Sequence, residues 1–261
     1  MLSIGLGSQP TTECGIFGSY QCLELDGNSD YVDLPHASLI SSGVTLNAGT
    51  ISCWVDIRDN DGASSQNIVR IANDSSNDNV TLQFHRANTE FRAVYKLDGT
   101  YKEATYNDGS LDLAGYMAQG WIHLAMTWAS DGAGDGEVKI YFNGSLQDTV
   151  AQTSNWAPSI RPIDEAIIGA GDGGSSGFTD GFIDQIAIFT GTKSADEISG
   201  MYGNGKMVDL TTSQTNPSTG GIYNTRGLVG YYQFEGNALD SSGKGNHGTL
   251  AGTAGYNTSQ P

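Results

Sequence analysis

The chain has 261 residues, 29 acidic against 12 basic side chains, a net charge of −17 and 36 glycines, about twice the usual share of roughly 7%. So few cations exclude the clustered Lys and Arg that nucleic-acid phosphates or an anionic membrane surface require. No run approaches the ~20 apolar residues of a membrane span, and the opening Met-Leu-Ser-Ile-Gly-Leu-Gly shows no basic n-region or long apolar h-region of a secretory signal.

In chain order, residues 1–19 are apolar and Gly-rich without a period, the composition of an arm that orders on contact. The cysteines are Cys14, Cys22 and Cys53. An odd count with irregular spacing argues against a disulfide framework. Reduced thiols are expected, with Cys53 buried in a strand; a Cys14–Cys22 bridge stays open.

Short β-type runs then follow one another, separated by Gly, Asn, Asp and Ser. They fall at 23–26, 31–34, 50–57, 68–72, 80–85, 91–97 and 101–106. In the third, Ile51, Cys53, Val55 and Ile57 share one face. Residues 121–128 alternate as well, with Ile122, Leu124, Met126 and Trp128 on one side. The run 138–142 enters Asn143-Gly144, a pair able to take the positive φ of a tight hairpin. Runs at 166–169 and 182–189 complete the main series. One helix is expected near 195–202: Ser194 and Glu197 have capping-box spacing, and Gly203 suits a left-handed cap. Residues 206–222 read as a linker, and 228–234 is again a strand. Many strands with one short helix predict an all-β, two-sheet antiparallel sandwich.

Three segments carry a resemblance. They are Leu25-Asp26-Gly27-Asn28-Ser29-Asp30-Tyr31-Val32, then Trp121-Ile122-His123-Leu124-Ala125-Met126-Thr127-Trp128 with its hairpin to Asn143-Gly144, and Gly181-Phe182-Ile183-Asp184-Gln185-Ile186-Ala187-Ile188-Phe189 with residues 194–202. Together they resemble the laminin-G-like branch of the concanavalin A-like lectin/glucanase superfamily over residues 20–205, which implies a jelly roll. A segment that usually precedes the first of these motifs has its counterpart here at 227–249. The chain therefore resembles a permuted member in which residues 223–261 complete the sandwich or, in a swapped arrangement, a neighbouring subunit. This pattern is similar to laminin-G-like proteins of tailed phages.

The resemblance implies a non-enzymatic structural or adhesive module of a phage virion, capsid decoration or tail fibre. Its partners would be other virion proteins, identical subunits or cell-surface glycans. Its location would be the virion surface after assembly in the host cytoplasm, or otherwise extracellular. A calcium-dependent lectin is the alternative and a glycoside hydrolase the third reading. A hydrolase needs two carboxylates across one sugar ring; the nearest match, Glu24-Leu25-Asp26-Gly27-Asn28-Ser29, lacks the last acid. His36, His85, His123 and His247 have no zinc spacing, and the Gly-rich stretch 169–174 does not lead into a helix as a phosphate cradle would.

Calcium takes six to eight hard oxygen donors. The resemblance implies a structural Ca²⁺ at Asp26 and Asp184 with nearby backbone oxygens, the other reading being that both stabilise turns. Carbohydrate contact needs exposed aromatic platforms beside polar donors. Trp156, Tyr101 and Tyr106 are the expected platforms, with Tyr95 and Phe178 as further candidates.

Overall fold

The computed structural model describes residues 21–58, 65–73, 77–130, 136–154, 162–215 and 222–257; the arm, Cys14 and Trp156 lie outside them. In chain order the strands are β1 (Cys22–Asp26), β2 (Tyr31–Asp33), β3 (Ala48–Ile57), β4 (Ser65–Asn73), β5 (Asp78–His85), β6 (Glu90–Leu97), β7 (Thr100–Tyr106) and β8 (Ile122–Ala129). They continue with β9 (Gly136–Phe142), β10 (Ser145–Gln152), β11 (Glu165–Ile168), β12 (Asp180–Phe189), β13 (Gln214–Thr215), β14 (Ile222–Tyr223), β15 (Leu228–Tyr232), β16 (Thr249–Ala251) and β17 (Gly255–Asn257). The helices are α1 (His36–Ser41), α2 (Leu113–Gln119) and α3 (Ala195–Tyr202).

Two antiparallel sheets form a sandwich, as the alternation predicts. The first runs β10-β9-β8-β3-β12-β1-β17 with β15 also on β12, and the second runs β16-β2-β11-β4-β5-β6-β7. Period-two geometry decides what each strand buries. On β3, Ile51, Cys53, Val55 and Ile57 enter the core between the sheets, and on β5 Val80, Leu82 and Phe84 meet them from the other side. The first sheet is covered on its outer face too: Ile198 and Met201 of α3 pack with Ala125, Tyr141, Ala187, Phe189 and Tyr231. Among the described residues no helix covers the outer face of the second sheet, which is largely polar and carries the loop between β11 and β12 at one side.

The C-terminal segment enters both sheets of its own chain. β1 pairs with the first half of β12 (Leu23 opposite Ile183, Asp26 opposite Asp180) and β15 with the second half (Ile186 opposite Tyr232). Two short strands from distant parts of the sequence thus lie end to end on one flank of β12. β16 then joins β2, and β17 joins β1. Asp30, 3% exposed, holds this corner: its carboxylate accepts Thr253 N at 2.6 Å, Thr253 Oγ1 at 3.0 Å and Asp26 N at 3.2 Å.

α3 has the expected capping box, with Ser194 Oγ accepting Glu197 N at 3.2 Å and Glu197 Oε2 accepting Ser194 N at 2.9 Å, and it ends at Gly203 with φ +59°. The hairpin turn at Asn143-Gly144 takes φ +47° and +74°. Helices α1 and α2 were not expected, being too short to show a 3.6-residue period. α2 is nevertheless announced by Asp112, whose carboxylate accepts Gly115 N at 2.8 Å. Cys22 is disulfide-bonded, which corrects the expectation of reduced thiols. Among the described residues the free cysteine is Cys53, whose thiol is enclosed in β3 and pushed up by burial. Among the described residues no helix is long and apolar enough to cross a membrane.

Candidate functional site

The outer face of the second sheet is built from residues that the alternation turns away from the core. Strand register sets them in cross-strand rows. One row is Asn67–Gln83–Arg92, the next Arg70–Thr81–Val94–Glu103, and the third Asn79–Lys96–Tyr101. Most of these side chains line a cleft of about 220 Å³, with Asn77 and Asp172 at its rim.

One wall of the cleft is the loop between β11 and β12, clamped to the sheet from below. Glu165 of β11, 4% exposed, pairs with Arg70 Nε at 2.7 Å and accepts Gly173 N at 2.5 Å. Arg70 reaches the loop a second time through Asp172 Oδ1, at 3.4 Å. Asp172 in turn accepts the Ser176 hydroxyl at 2.5 Å. Gly171 and Gly177 let the loop lie directly on Asn67, since a Cβ on either would collide with the Asn67 amide, and Gly177 also has φ +58°. The Gly-rich stretch that makes no phosphate cradle therefore builds a wall.

The opposite wall is Tyr101, 49% exposed, whose hydroxyl donates to Glu103 Oε2 at 2.6 Å. Burial, then the Glu103 carboxylate, pushes its phenol up to about 12. On the floor Thr81 donates to Asn79 Oδ1 at 3.0 Å and Asn79 Nδ2 donates to Asn77 O at 3.2 Å, so these two are oriented. The side chains of Asn67, Gln83 and Lys96, half-buried here, have no hydrogen-bond or ion-pair partner among the described residues. A small concavity with an exposed ring, fixed donors and unspent amides can hold a polar ligand that has one apolar face.

Of the expected aromatic platforms among the described residues, Tyr101 alone is on this cleft. Tyr106 is not on it: five residues further along β7 it faces the other way, its ring 4.3 Å from that of Phe142. Tyr95 is fully buried in the core and Phe178 is partly buried in the β11–β12 loop. Trp156 lies outside the described residues. The amides of the floor and Lys96 were missed by sequence reasoning, because only register brings four strands together; the alternation of polar residues in 79–83 was the available signal.

The expected calcium pair is not brought together. Asp26 sits opposite Asp180 in the β1–β12 register, four residues from Asp184, or about 13 Å along the strand. The Asp26 carboxylate accepts Asn28 N at 2.9 Å and Ser29 N at 3.0 Å, closing the β1–β2 turn. Asp184 Oδ1 accepts Gln185 N at 2.7 Å beside a β-bulge. Both thus stabilise local backbone, and among the described residues no three His, Cys, Asp or Glu side chains are grouped to hold a metal ion. Glu24 is exposed on β1, in the other sheet from the cleft.

Two larger hollows are built from groups already engaged. One of about 430 Å³ lies along the C-terminal segment, where Ser242 donates to Asp240 and Ser42 receives Asn246 Nδ2. Another, of about 420 Å³, surrounds Lys193, whose amine is spent on Glu197, Asn224 and Arg226. Ser52 and His123 lie 2.9 Å apart, but His123 is 1% exposed beneath the rings of Trp54 and Tyr202, closed to any substrate.

Comparison with curated protein sequences gives no match. Among solved structures, a Bacteroides ovatus protein described as an inferred carbohydrate binding protein superposes with a TM-score of 0.60 at 13% identity. The superposition covers 91% of this chain, which spans 60% of that protein's length. The CBM40 of a Ruminococcus gnavus IT-sialidase, bound to α2,3-sialyllactose, gives 0.52 at 17% identity, covering 71% of this chain and 100% of that one. The NanB sialidase of Streptococcus pneumoniae gives 0.51 at 17% identity, covering 70% and 28%. Identities this low establish the shared sandwich and nothing finer. The Laminin_G_3 model, described as concanavalin A-like lectin/glucanases superfamily, matches residues 26–199, from the β1–β2 turn into α3. With that match over a jelly-roll sandwich of two antiparallel sheets, the chain belongs to the Laminin_G_3 family of the concanavalin A-like superfamily.

Proposed function

We propose that the chain is a carbohydrate-binding module without catalysis, and that the cleft between Tyr101 and the β11–β12 loop is its glycan site. The observation that carries this reading is one cleft lined by the half-exposed Tyr101 ring, with Asn79 and Lys96 in its own row, and by the unspent amides of Asn67 and Gln83 further along the floor. A pyranose presents an apolar face that stacks on such a ring and equatorial hydroxyls that amides recognise as donor and acceptor at once. The folds of the Bacteroides ovatus protein and the sialyllactose-bound CBM40 support the same reading. Of the carboxylates at or beside the cleft, Glu165 and Asp172 are engaged by Arg70 and Glu103 by Arg92 and Tyr101, which favours binding over an acid and nucleophile pair.

The lectin reading thereby takes precedence over the virion module, whose phage setting rests on the resemblance of the terminal segment alone. The disulfide at Cys22 supports an oxidising, extracellular location. Calcium dependence was attached to Asp26 and Asp184, which stand apart from the cleft. Its polar groups are amides, hydroxyls, two cations and the single carboxylate of Asp172, so binding is expected to persist in chelator.

A glycan array followed by calorimetric titration tests the proposal. Tyr101→Ala is expected to weaken the best ligand about tenfold, the value of one stacked ring. Tyr106→Ala is expected to lower the melting temperature and keep the ligand. Retention of no glycan, or equal binding by wild type and Tyr101→Ala, would overturn it.

A further inference from the structure

Resting on the glycan reading, we infer that the sugar taken by this cleft carries an anionic substituent, and that Lys96 selects it. In a chain with 29 acids and 12 bases, cations readily find partners. Arg70 is neutralised by Glu165 and Asp172, and Arg92 by Glu90 at 2.5 Å and Glu103 at 3.2 Å. Lys139 pairs with Glu137 at 2.6 Å, and Lys193 with Glu197 at 3.2 Å. Lys96 lines the cleft half-buried and has neither an ion pair nor a hydrogen bond among the described residues. Its register neighbours are Asn79 on one side and Tyr101 on the other, an amide and a ring instead of a carboxylate.

An ammonium held partly out of water without a counter-charge carries a desolvation cost that an anionic ligand returns as a charge-assisted hydrogen bond. The neighbouring acids are committed elsewhere: Asp78 Oδ1 accepts Asp98 N at 2.8 Å, and Asp172 holds Arg70 and Ser176. Adjacent strands are about 4.8 Å apart, so a ring stacked on Tyr101 places a substituent of its own within reach of Lys96. The site thus reads one acidic group next to one apolar ring face. A carboxylate and a sulfate ester supply the same chemistry here.

Matched glycan pairs test this: uronic or sialic acid-bearing oligosaccharides against their methyl esters, and sulfated ones against desulfated counterparts. Wild type is expected to prefer the acidic member of at least one pair about tenfold or more in 50 mM salt, with the preference shrinking as salt rises. In Lys96→Met, and in Lys96→Gln as a second variant, the acidic-to-neutral ratio is expected to fall toward one, with thermal melts recorded to show that both fold. The carboxylate and sulfate series report separately which acid is read. Equal affinity of wild type for acidic and neutral members, or an unchanged ratio in both Lys96 variants, overturns the inference while leaving the glycan reading in place. Absence of binding to every glycan overturns that reading and this inference with it.

Discussion

His123 is a family-motif residue that the fold converts into a buried neutral base. Burial pushes its imidazole down to about 3, and its Nε2 lies 2.9 Å from Ser52 Oγ with no solvent access. The unfolded chain takes up a proton near pH 6.5 and the native state refuses it until about pH 3. The unfolded state therefore binds more protons in that window, and stability is lost as pH falls through it, with a slope from this group of up to about 1.4 kcal/mol per pH unit. His123→Gln is expected to flatten the fall in urea midpoint between pH 6.5 and 4; an unchanged acid slope would remove His123 as its source. Other single residues were readable in advance. Tyr101 and Tyr106, five apart on one strand, cannot share a face, so the two expected platforms could not line one cleft together. The unspent state of Lys96 was not readable, since it depends on which residues β5 and β7 set beside it.

The elements that proved legible are those whose partners are near in sequence. The β9–β10 hairpin and the capped α3 are specified by Asn143-Gly144 and Ser194–Glu197 themselves. The arrangement of β1 and β15 on one flank of β12 is specified by long-range register and a bulge at Ile188–Phe189, which leave no local mark. A buried lysine just before α3 adds to the packing of Ile198 and Met201 on Leu228 and Tyr231 and to the Glu197–Asn224 hydrogen bond in holding the C-terminal segment. Lys193, 7% exposed, donates from Nζ to Asn224 O at 2.9 Å, Arg226 O at 3.0 Å and Glu197 Oε1 at 3.2 Å, above the ring of Phe189. Removing one partner of a buried charged network costs about 3 kcal/mol. Lys193→Met is accordingly expected to lower the melting temperature by about 6–12 °C. Hydrogen exchange should rise first at residues 224–230, where the lysine holds the chain down. A melting point within 1 °C of wild type would show the clamp to be without weight.

For the whole molecule, the motifs and alternation foretold a two-sheet sandwich, and they did so because each sheet face repeats the same period-two rule. The cleft was hidden because it belongs to no single segment: its walls come from β7 and the β11–β12 loop, its floor from three strands. The position of the first and last described strands follows from the same topology. Cys22 and Asn257 are register partners on β1 and β17, so their Cα atoms are about 5 Å apart. Joining the full chain end to end and reopening it between Asn143 and Gly144 is expected to give a folded permutant with a native circular dichroism spectrum; loss of that spectrum would show that the ends must stay free. A body entered and left through neighbouring strands of the first sheet, with its cleft on the outer face of the second, can be spliced into a host protein as an insert. Such a graft would leave the Tyr101 cleft on the sheet opposite the splice.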